Sequence, residues 1–211
     1  MTVHNLSDDL AMAYAAGALP SAFAAVVATH CALSDDSRAR VGAFEAVGGV
    51  LLDELETAPM EAGAFDSVME RVKAAPAAGP KRLAAGVFPE PLRAIVGGDL
   101  DAVKWKSVGG GVKQAVLLRE DGVSLRLLSI PGGQAMPEHG HRGLELTLVL
   151  KGAFTDGDQR YGRGDLEIAD PTDQHVPVAE EGETCICLAA TDAPLRFVSW
   201  LPRIAQPFIR I

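Results

Sequence analysis

Apolar residues in the first third of the chain recur at steps of three and four residues, among many Ala, Leu, Met and Glu residues. This spacing and composition favour helices. Ser7, followed by two aspartates, is typical of a helix N-terminus. The pattern predicts four helices that begin near residues 8, 20, 34 and 64, with more apolar surface than four short helices need to cover one another.

A different pattern follows Trp105, where short apolar runs alternate with turn residues. The runs are QAVLL, VSLRLLSI, LELTLVL, LEIA, CICLAA and LRFVSWL. Short strands at close spacing predict an antiparallel sandwich or barrel. Between the two patterns, Ala, Pro and Gly dominate without periodicity, as in a linker. The chain is therefore predicted to be an α+β multidomain protein, with an all-α helical bundle over residues 1–75, a linker over 76–92 and an all-β domain over 93–211.

Composition narrows the class of protein. The 211 residues are 48% hydrophobic and 22% charged, and no apolar stretch is long enough to span a bilayer. The first residues, MTVHNLSDDL, lack the pattern of a secretory signal. Three cysteines, an odd number, imply no disulfide framework. We therefore expect a cytoplasmic protein that does not enter a membrane.

The negative charge is concentrated in the helical part. The formal net charge is -9, and residues 1–74 hold 11 acidic and 4 basic residues, a balance of -7. Nucleic-acid backbones favour clustered Lys and Arg, so direct binding to nucleic acid is disfavoured. A basic protein partner is the better expectation.

Candidate metal ligands lie in the segment PEHGHRGLELTLVLKG. Residues two apart in a strand point to the same face, so His139 and His141 can aim at one point, and Glu145 shares their parity. Arg142 and Gly143 leave open a bulge or bend. His175 follows after a turn and a strand, and a hairpin of that length can bring it back over the first strand. Imidazole and carboxylate ligands together suit Zn, Fe, Mn, Ni or Co.

The spacing HxHx3Ex6G with a later His resembles the metal-binding motif of the cupin superfamily, over roughly residues 95–205. The resemblance implies a C-terminal cupin barrel, of the double-stranded β-helix or jelly-roll type, with a metal held by His139, His141, Glu145 and His175. The region around His175 lacks the preceding Pro-x-Gly and the following Asn of many cupins, so the motif is partial there.

Cys185 and Cys187 share parity on one predicted strand. Two interpretations are open: a redox or auxiliary metal-binding pair near the barrel interior, or two small core residues. Nothing nearby in the sequence is cationic enough to lower a thiol pKa, which favours the core.

The N-terminal stretch THCALSDDSRARVG resembles the zinc-binding anti-sigma domain, whose signature is HxxxCxxC. His30, Ser34 and Ser37 occupy the three positions, with His4 or Asn5 as the upstream partner. Serine is a poor zinc ligand where thiolate is strong, so this second metal site is predicted to be degraded.

A helical domain of this kind followed by a cupin is similar to the ChrR-type anti-sigma factors, over nearly the whole chain. The resemblance implies a negative regulator of transcription that sequesters an extracytoplasmic-function (group IV) sigma factor and releases it on oxidative stress of the singlet-oxygen type. It also implies about one zinc per chain, in the cupin domain, with Fe, Mn or Ni as other divalent metals. A homodimer is left open.

The alternative is a cupin metalloenzyme, such as a dioxygenase or isomerase that acts on a small oxygenated substrate. Catalysis usually needs an acid or base beside the metal. Thr147 and Val149 follow Glu145 at the same parity and supply neither. A helical segment of some 75 residues also has no evident use in a small cupin enzyme, so a regulator is predicted rather than an enzyme.

Overall fold

A computed structural model describes residues 4–75, 86–140 and 142–193, together with the backbone of 196–197. Four helices occupy the N-terminal part, as predicted: α1 (Asp8–Ala15), α2 (Ser21–Cys31), α3 (Asp35–Asp53) and α4 (Ala64–Ala74). The Ser7 side chain caps α1 by accepting a hydrogen bond from the backbone N–H of Leu10, and Ser34 caps α3 in the same way. No helix within the described residues combines the length and apolarity needed to cross a membrane.

A fifth helix, α5 (Glu90–Val96), begins inside the predicted linker, and a 3-10 turn (Leu100–Ala102) follows it. Seven residues are too few to show helical periodicity in sequence. Its local signals are Glu90 and Pro91 in the first turn, Arg93 in the last turn and a left-handed Gly97 directly after the helix. Residues 76–85 of the predicted linker lie outside the described residues, so the linker itself stays a prediction.

Twelve strands follow in the described part of the chain, and every strand pair there is antiparallel. They are β1 (Lys106–Gly109), β2 (Val112–Glu120), β3 (Val123–Ile130), β4 (His139–Gly140), β5 (Glu145–Lys151), β6 (Ala153–Asp156), β7 (Gln159–Gly162), β8 (Leu166–Ala169), β9 (Gln174–His175), β10 (Val178–Ala179), β11 (Cys185–Thr191) and β12 (Arg196–Phe197). A six-stranded sheet has the order β1-β2-β3-β11-β5-β8, and two three-stranded sheets have the orders β10-β6-β7 and β12-β4-β9. The predicted α+β class is confirmed.

The six-stranded sheet is covered on one face by the N-terminal helices. Alternate leucines of its central strands, such as Leu127 and Leu148, are fully buried in one core with Phe23, Val26 and Val27 of α2. This explains part of the apolar surplus of the helices. The opposite face carries polar side chains among smaller apolar ones, so both faces of the sheet are buried and they differ in chemistry.

Asp99 ties the segment around α5 together. Its carboxylate accepts hydrogen bonds from the backbone N–H groups of Val87, Phe88 and Leu100, at 3.3, 3.4 and 2.8 Å, and from the Arg93 guanidinium at 2.8 Å. Burial alone would raise the pKa of Asp99, but the hydrogen bonds from Leu100, Arg93 and Phe88 outweigh burial and lower it. The ionised carboxylate is therefore the form that stabilises the fold.

Replacing Asp99 with Ala is expected to lower the free energy of unfolding by about 2–4 kcal/mol, because several donors lose a charged acceptor. Urea unfolding at neutral pH measures this. Since the folded-state pKa is lowered, the difference from wild type is present above the ordinary Asp pKa and disappears as the pH falls through the folded-state value. Asp101→Ala, an exposed neighbour, is the control and should leave stability unchanged. Equal stability of both variants would contradict this assignment.

Candidate metal centre

Buried carboxylates line the polar face of the six-stranded sheet. Glu145 and Thr147 alternate with helix-facing leucines along β5, and Glu167 on β8 lies directly across from Thr147. The hydroxyl of Thr147 donates to Oε1 of Glu145 at 3.2 Å. Glu145 and Glu167 are both buried. Buried carboxylates are costly unless a proton or a cation compensates for them. The buried Arg126 guanidinium offsets part of the charge of Glu145, and a bound cation would offset more.

His139 and His175 meet across the short β4–β9 pair. They are register partners, their ring centroids are 4.5 Å apart, and their Nε2 atoms are 3.1 Å apart. Two imidazole nitrogens on one tetrahedral zinc, at bond lengths of about 2.0–2.1 Å, would be roughly 3.4 Å apart. The two Nε2 atoms therefore stand close to the separation that a shared metal ion would give them.

The other ring nitrogens fix the tautomers. Nδ1 of His139 lies 2.8 Å from the carbonyl oxygen of Pro137, which only accepts, so Nδ1 carries the hydrogen. Nδ1 of His175 lies 2.9 Å from Oδ2 of Asp156 and donates to that carboxylate. In neutral rings both Nε2 atoms then hold lone pairs directed at each other. This arrangement is repulsive unless a proton or a metal ion lies between them.

The charges around His175 favour a cation. Burial lowers the pKa of His175, but the hydrogen bonds and charges of Glu167 and Asp156 outweigh burial and raise it to about 9. Burial raises the pKa of Glu145 to about 7, and the nearby Glu167 adds to the increase.

In the part of the chain that the structure describes, one group fits a metal ion by donor type and spacing: ligand atoms of Asp156, Glu167 and His175 lie within 4.8 Å of one another.

Three of the four predicted ligands, His139, Glu145 and His175, thus lie in one buried polar region; the fourth, His141, lies outside the described residues. Asp156 and Glu167 were missed by the sequence analysis. An acidic residue at inward parity in the apolar run LEIA was the available signal for Glu167. Asp156 ends β6, directly before a turn-rich stretch, and gave no such signal.

The two cysteines of β11 are buried, with their Sγ atoms 3.5 Å apart. The hydrogen bond with Cys185 and burial raise the pKa of the Cys187 thiol well above its ordinary value. A thiol of high pKa is a weak nucleophile and a weak metal ligand at neutral pH. The environment therefore favours the core interpretation of this pair.

The N-terminal positions form a hydrogen-bonded cluster. Nε2 of His30 lies 2.8 Å from the Ser37 hydroxyl, which also accepts from the backbone N–H of Leu6, and Ser34 donates to Oδ1 of Asn5 at 3.4 Å. His4 lies elsewhere, with its ring 4.2 Å from that of Tyr161. One imidazole, two hydroxyls and an amide do not fit zinc, which takes thiolate, imidazole or carboxylate ligands.

Restoring such ligands is expected to create a second zinc site. The variant Asn5→His/Ser34→Cys/Ser37→Cys should carry one more equivalent of tightly bound zinc than wild type, because the three positions already surround His30. Elemental analysis after dialysis against a weak chelator measures this. Ser34→Cys alone is the control, since two strong ligands do not close a structural site. A triple variant with the zinc content of wild type would contradict the convergence of these positions.

Comparisons with known proteins agree with these features. The ChrR cupin-like domain family matches residues 94–194, which confirms the predicted cupin fold. The anti-sigma-E factor ChrR of Cereibacter sphaeroides is 55% identical over 215 residues, with 100% of each chain covered. A crystal structure of Rhodobacter sphaeroides SigE in complex with the anti-sigma ChrR has 52% identity and a TM-score of 0.78, and the match covers 89% of this chain and 98% of that one.

Full-length identity above half extends the likeness to the N-terminal helices as well as the cupin domain. The relative is a regulator, which confirms the prediction of a regulatory protein rather than an enzyme. The chain belongs to the ChrR family of anti-sigma factors.

Proposed function

We propose that this protein sequesters an extracytoplasmic-function sigma factor in the cytoplasm and releases it on oxidative stress of the singlet-oxygen type, which acts through a metal-bound cupin domain. The main observation in favour of a protein partner is the large exposed apolar area on the N-terminal helices. The relative of 52% identity was crystallised in complex with SigE, so a sigma factor is the expected partner at this area.

We call this apolar area the docking surface. Its members lie on the C-terminal half of α3, on the connection after it and on α4, and are between 48% and 76% exposed. They are Val47, Val50, Leu51, Leu52, Leu55, Met60, Phe65, Val68 and Val72. Exposed apolar side chains in this number, close together along residues 47–72, favour a protein interaction site. The N-terminal half of α3, by contrast, buries Ser37 and Val41 against the other helices.

Acidic residues lie between the residues of the docking surface in the sequence. They are Asp53, Glu54, Glu56, Glu61, Asp66 and Glu70. A sigma factor presents basic surfaces to DNA, so a surface that combines acidic and apolar side chains would attract it and cover those surfaces. The same charge disfavours contact of this protein with DNA itself. Sequestration by occlusion follows from this combination.

We propose that His139, His141, Glu145 and His175 hold one divalent metal ion in the cupin domain. Zinc is the expected ion, and Fe, Mn and Ni suit the same ligands. The facing Nε2 atoms of His139 and His175, with two buried carboxylates beside them, support this assignment. Bound metal would supply a fixed positive charge that neutralises the buried carboxylates, and an oxidant that damages a histidine ligand would remove that constraint.

The proposal is tested by co-expression of the full chain with each extracytoplasmic-function sigma factor of its own organism, followed by affinity purification and size-exclusion chromatography. We expect a stable one-to-one complex with at least one of them, and about one metal ion per chain by elemental analysis. Exposure of that complex to singlet oxygen should release the sigma factor. Failure to form a complex with any of these sigma factors would refute the proposed partner.

A further inference from the structure

The ring of His175 is held from the side opposite to His139. Its Nε2 faces Nε2 of His139 at 3.1 Å, whereas Nδ1 faces Oδ2 of Asp156 at 2.9 Å and Oε1 of Glu167 at 3.7 Å. An imidazole offers one nitrogen to a metal ion, and the group at its other nitrogen fixes its tautomer and orientation. The two carboxylates therefore contact the ring at Nδ1 and orient it so that Nε2 is directed towards His139.

Glu167 is the more firmly placed of the two carboxylates. Its side chain is only 7% exposed, against 22% for Asp156. Its backbone is paired with Thr147 inside the six-stranded sheet, whereas Asp156 lies at the end of β6. A side chain anchored in a sheet holds a neighbouring ring more rigidly than one at a strand end.

The opposite face of β8 contacts the N-terminal helices. Leu166, the neighbour of Glu167, donates its backbone N–H to the carbonyl oxygen of His4 at 3.1 Å, and its side chain belongs to the core shared with α2. A residue just before β8 reaches the same N-terminal part: the ring of Tyr161 lies 4.2 Å from that of His4, which precedes α1. β8 thus contacts the metal centre through one face, and the N-terminal part through its other face and its free edge.

We propose that Glu167 is a positioning residue: it orients His175 for metal binding and, through its place in β8 next to Leu166, links occupancy of the metal centre to the contact between the cupin domain and the N-terminal helices. This inference rests on the proposed role of His175 as a ligand. The linkage needs no path through residues 76–85, because the two parts of the chain touch directly at β8.

The first test is zinc affinity of the full chain, measured by competition with a chromophoric chelator. Glu167→Gln is expected to bind zinc about 10- to 100-fold more weakly than wild type. Asp156→Asn, which removes the other carboxylate at Nδ1, should also bind more weakly. Because Asp156 lies at a strand end and is less buried, this change is less liable to impair folding. Glu181→Gln, an exposed residue of the same domain, is the matched control and should bind as wild type does.

Cobalt substitution separates a positioning role from ligation or simple misfolding. The visible spectrum of the Glu167→Gln protein at saturating Co²⁺ should keep the shape of the wild-type spectrum, because the ligand set is unchanged. A changed spectrum would mean that Glu167 is itself a ligand and would overturn the inference. Equal zinc affinity of Glu167→Gln, Asp156→Asn and wild type would overturn it as well.

Hydrogen exchange at the Leu166 amide tests the linkage. Metal should slow this exchange in wild type, because the amide donates to His4 across the contact, and should slow it less in Glu167→Gln at saturating metal. The same rate with and without metal in wild type would overturn the linkage. If wild type binds no metal at all, the proposed metal centre fails and this inference fails with it; wild-type binding with an unaffected Glu167→Gln protein refutes the inference alone.

Discussion

The double variant Leu52→Asp/Phe65→Asp is expected to bind its sigma factor at least about 1000-fold more weakly than wild type. Central apolar anchors of an interface each contribute about 2–4 kcal/mol when they are lost, and a buried, unpaired aspartate adds a desolvation cost. Leu52 and Phe65 are 68% and 72% exposed, so neither supports the core of the free protein. The free energy of unfolding should therefore stay within about 0.5 kcal/mol of wild type.

Fluorescence anisotropy with labelled sigma factor gives the affinity, and urea unfolding gives the stability. Val116→Asp introduces one aspartate at an exposed apolar position on β2 of the cupin domain and is the control for added negative charge. It should bind as tightly as wild type. Undiminished binding by the double variant would show that the sigma factor docks elsewhere, and a matching loss in the control would point to a nonspecific effect of charge.

Local periodicity was sufficient to predict the helices and most strands, because each of these patterns is complete within a few residues. It also placed His139 and His175 in one site, since the parity of a strand and the return of a hairpin are local rules. The surplus of apolar residues in the helices was visible too. The sequence did not show how these apolar residues are divided: Phe23 and Val26 pack on the sheet, whereas Leu52 and Phe65 stay exposed. Which stripe meets which surface depends on tertiary contacts between distant segments.

The carboxylates behind His175 show the same limit. Asp156 and Glu167 reach Nδ1 of His175 from two different sheets, at the end of β6 and within β8. Their separations in sequence from His175 carry no period, so only the three-dimensional arrangement reveals them. The direct contact of β8 with His4 is likewise a nonlocal pairing. In sequence, the two parts of the chain are joined only by the predicted linker.

Replacing His175 with Ala is expected to weaken metal binding about 100- to 1000-fold. Structural zinc sites bind with about 10–16 kcal/mol shared among four ligands, so one ligand is worth roughly 2.5–4 kcal/mol. This loss of affinity should exceed that of Glu167→Gln, because a ligand binds the ion directly, whereas a positioning residue acts only through the ligand that it orients. Chelator competition on the full chain measures both variants on one scale.

Glu181→Gln, the exposed residue of the same domain, is again the control for the metal measurement. It should keep the metal content of wild type. The docking-surface variant Leu52→Asp/Phe65→Asp should keep it too, since its changes lie on α3 and α4. Retention of one tightly bound metal by His175→Ala would refute the proposed centre. Separate loss of metal in one variant and of sigma binding in the other would establish that sensing and sequestration occupy different surfaces of one chain.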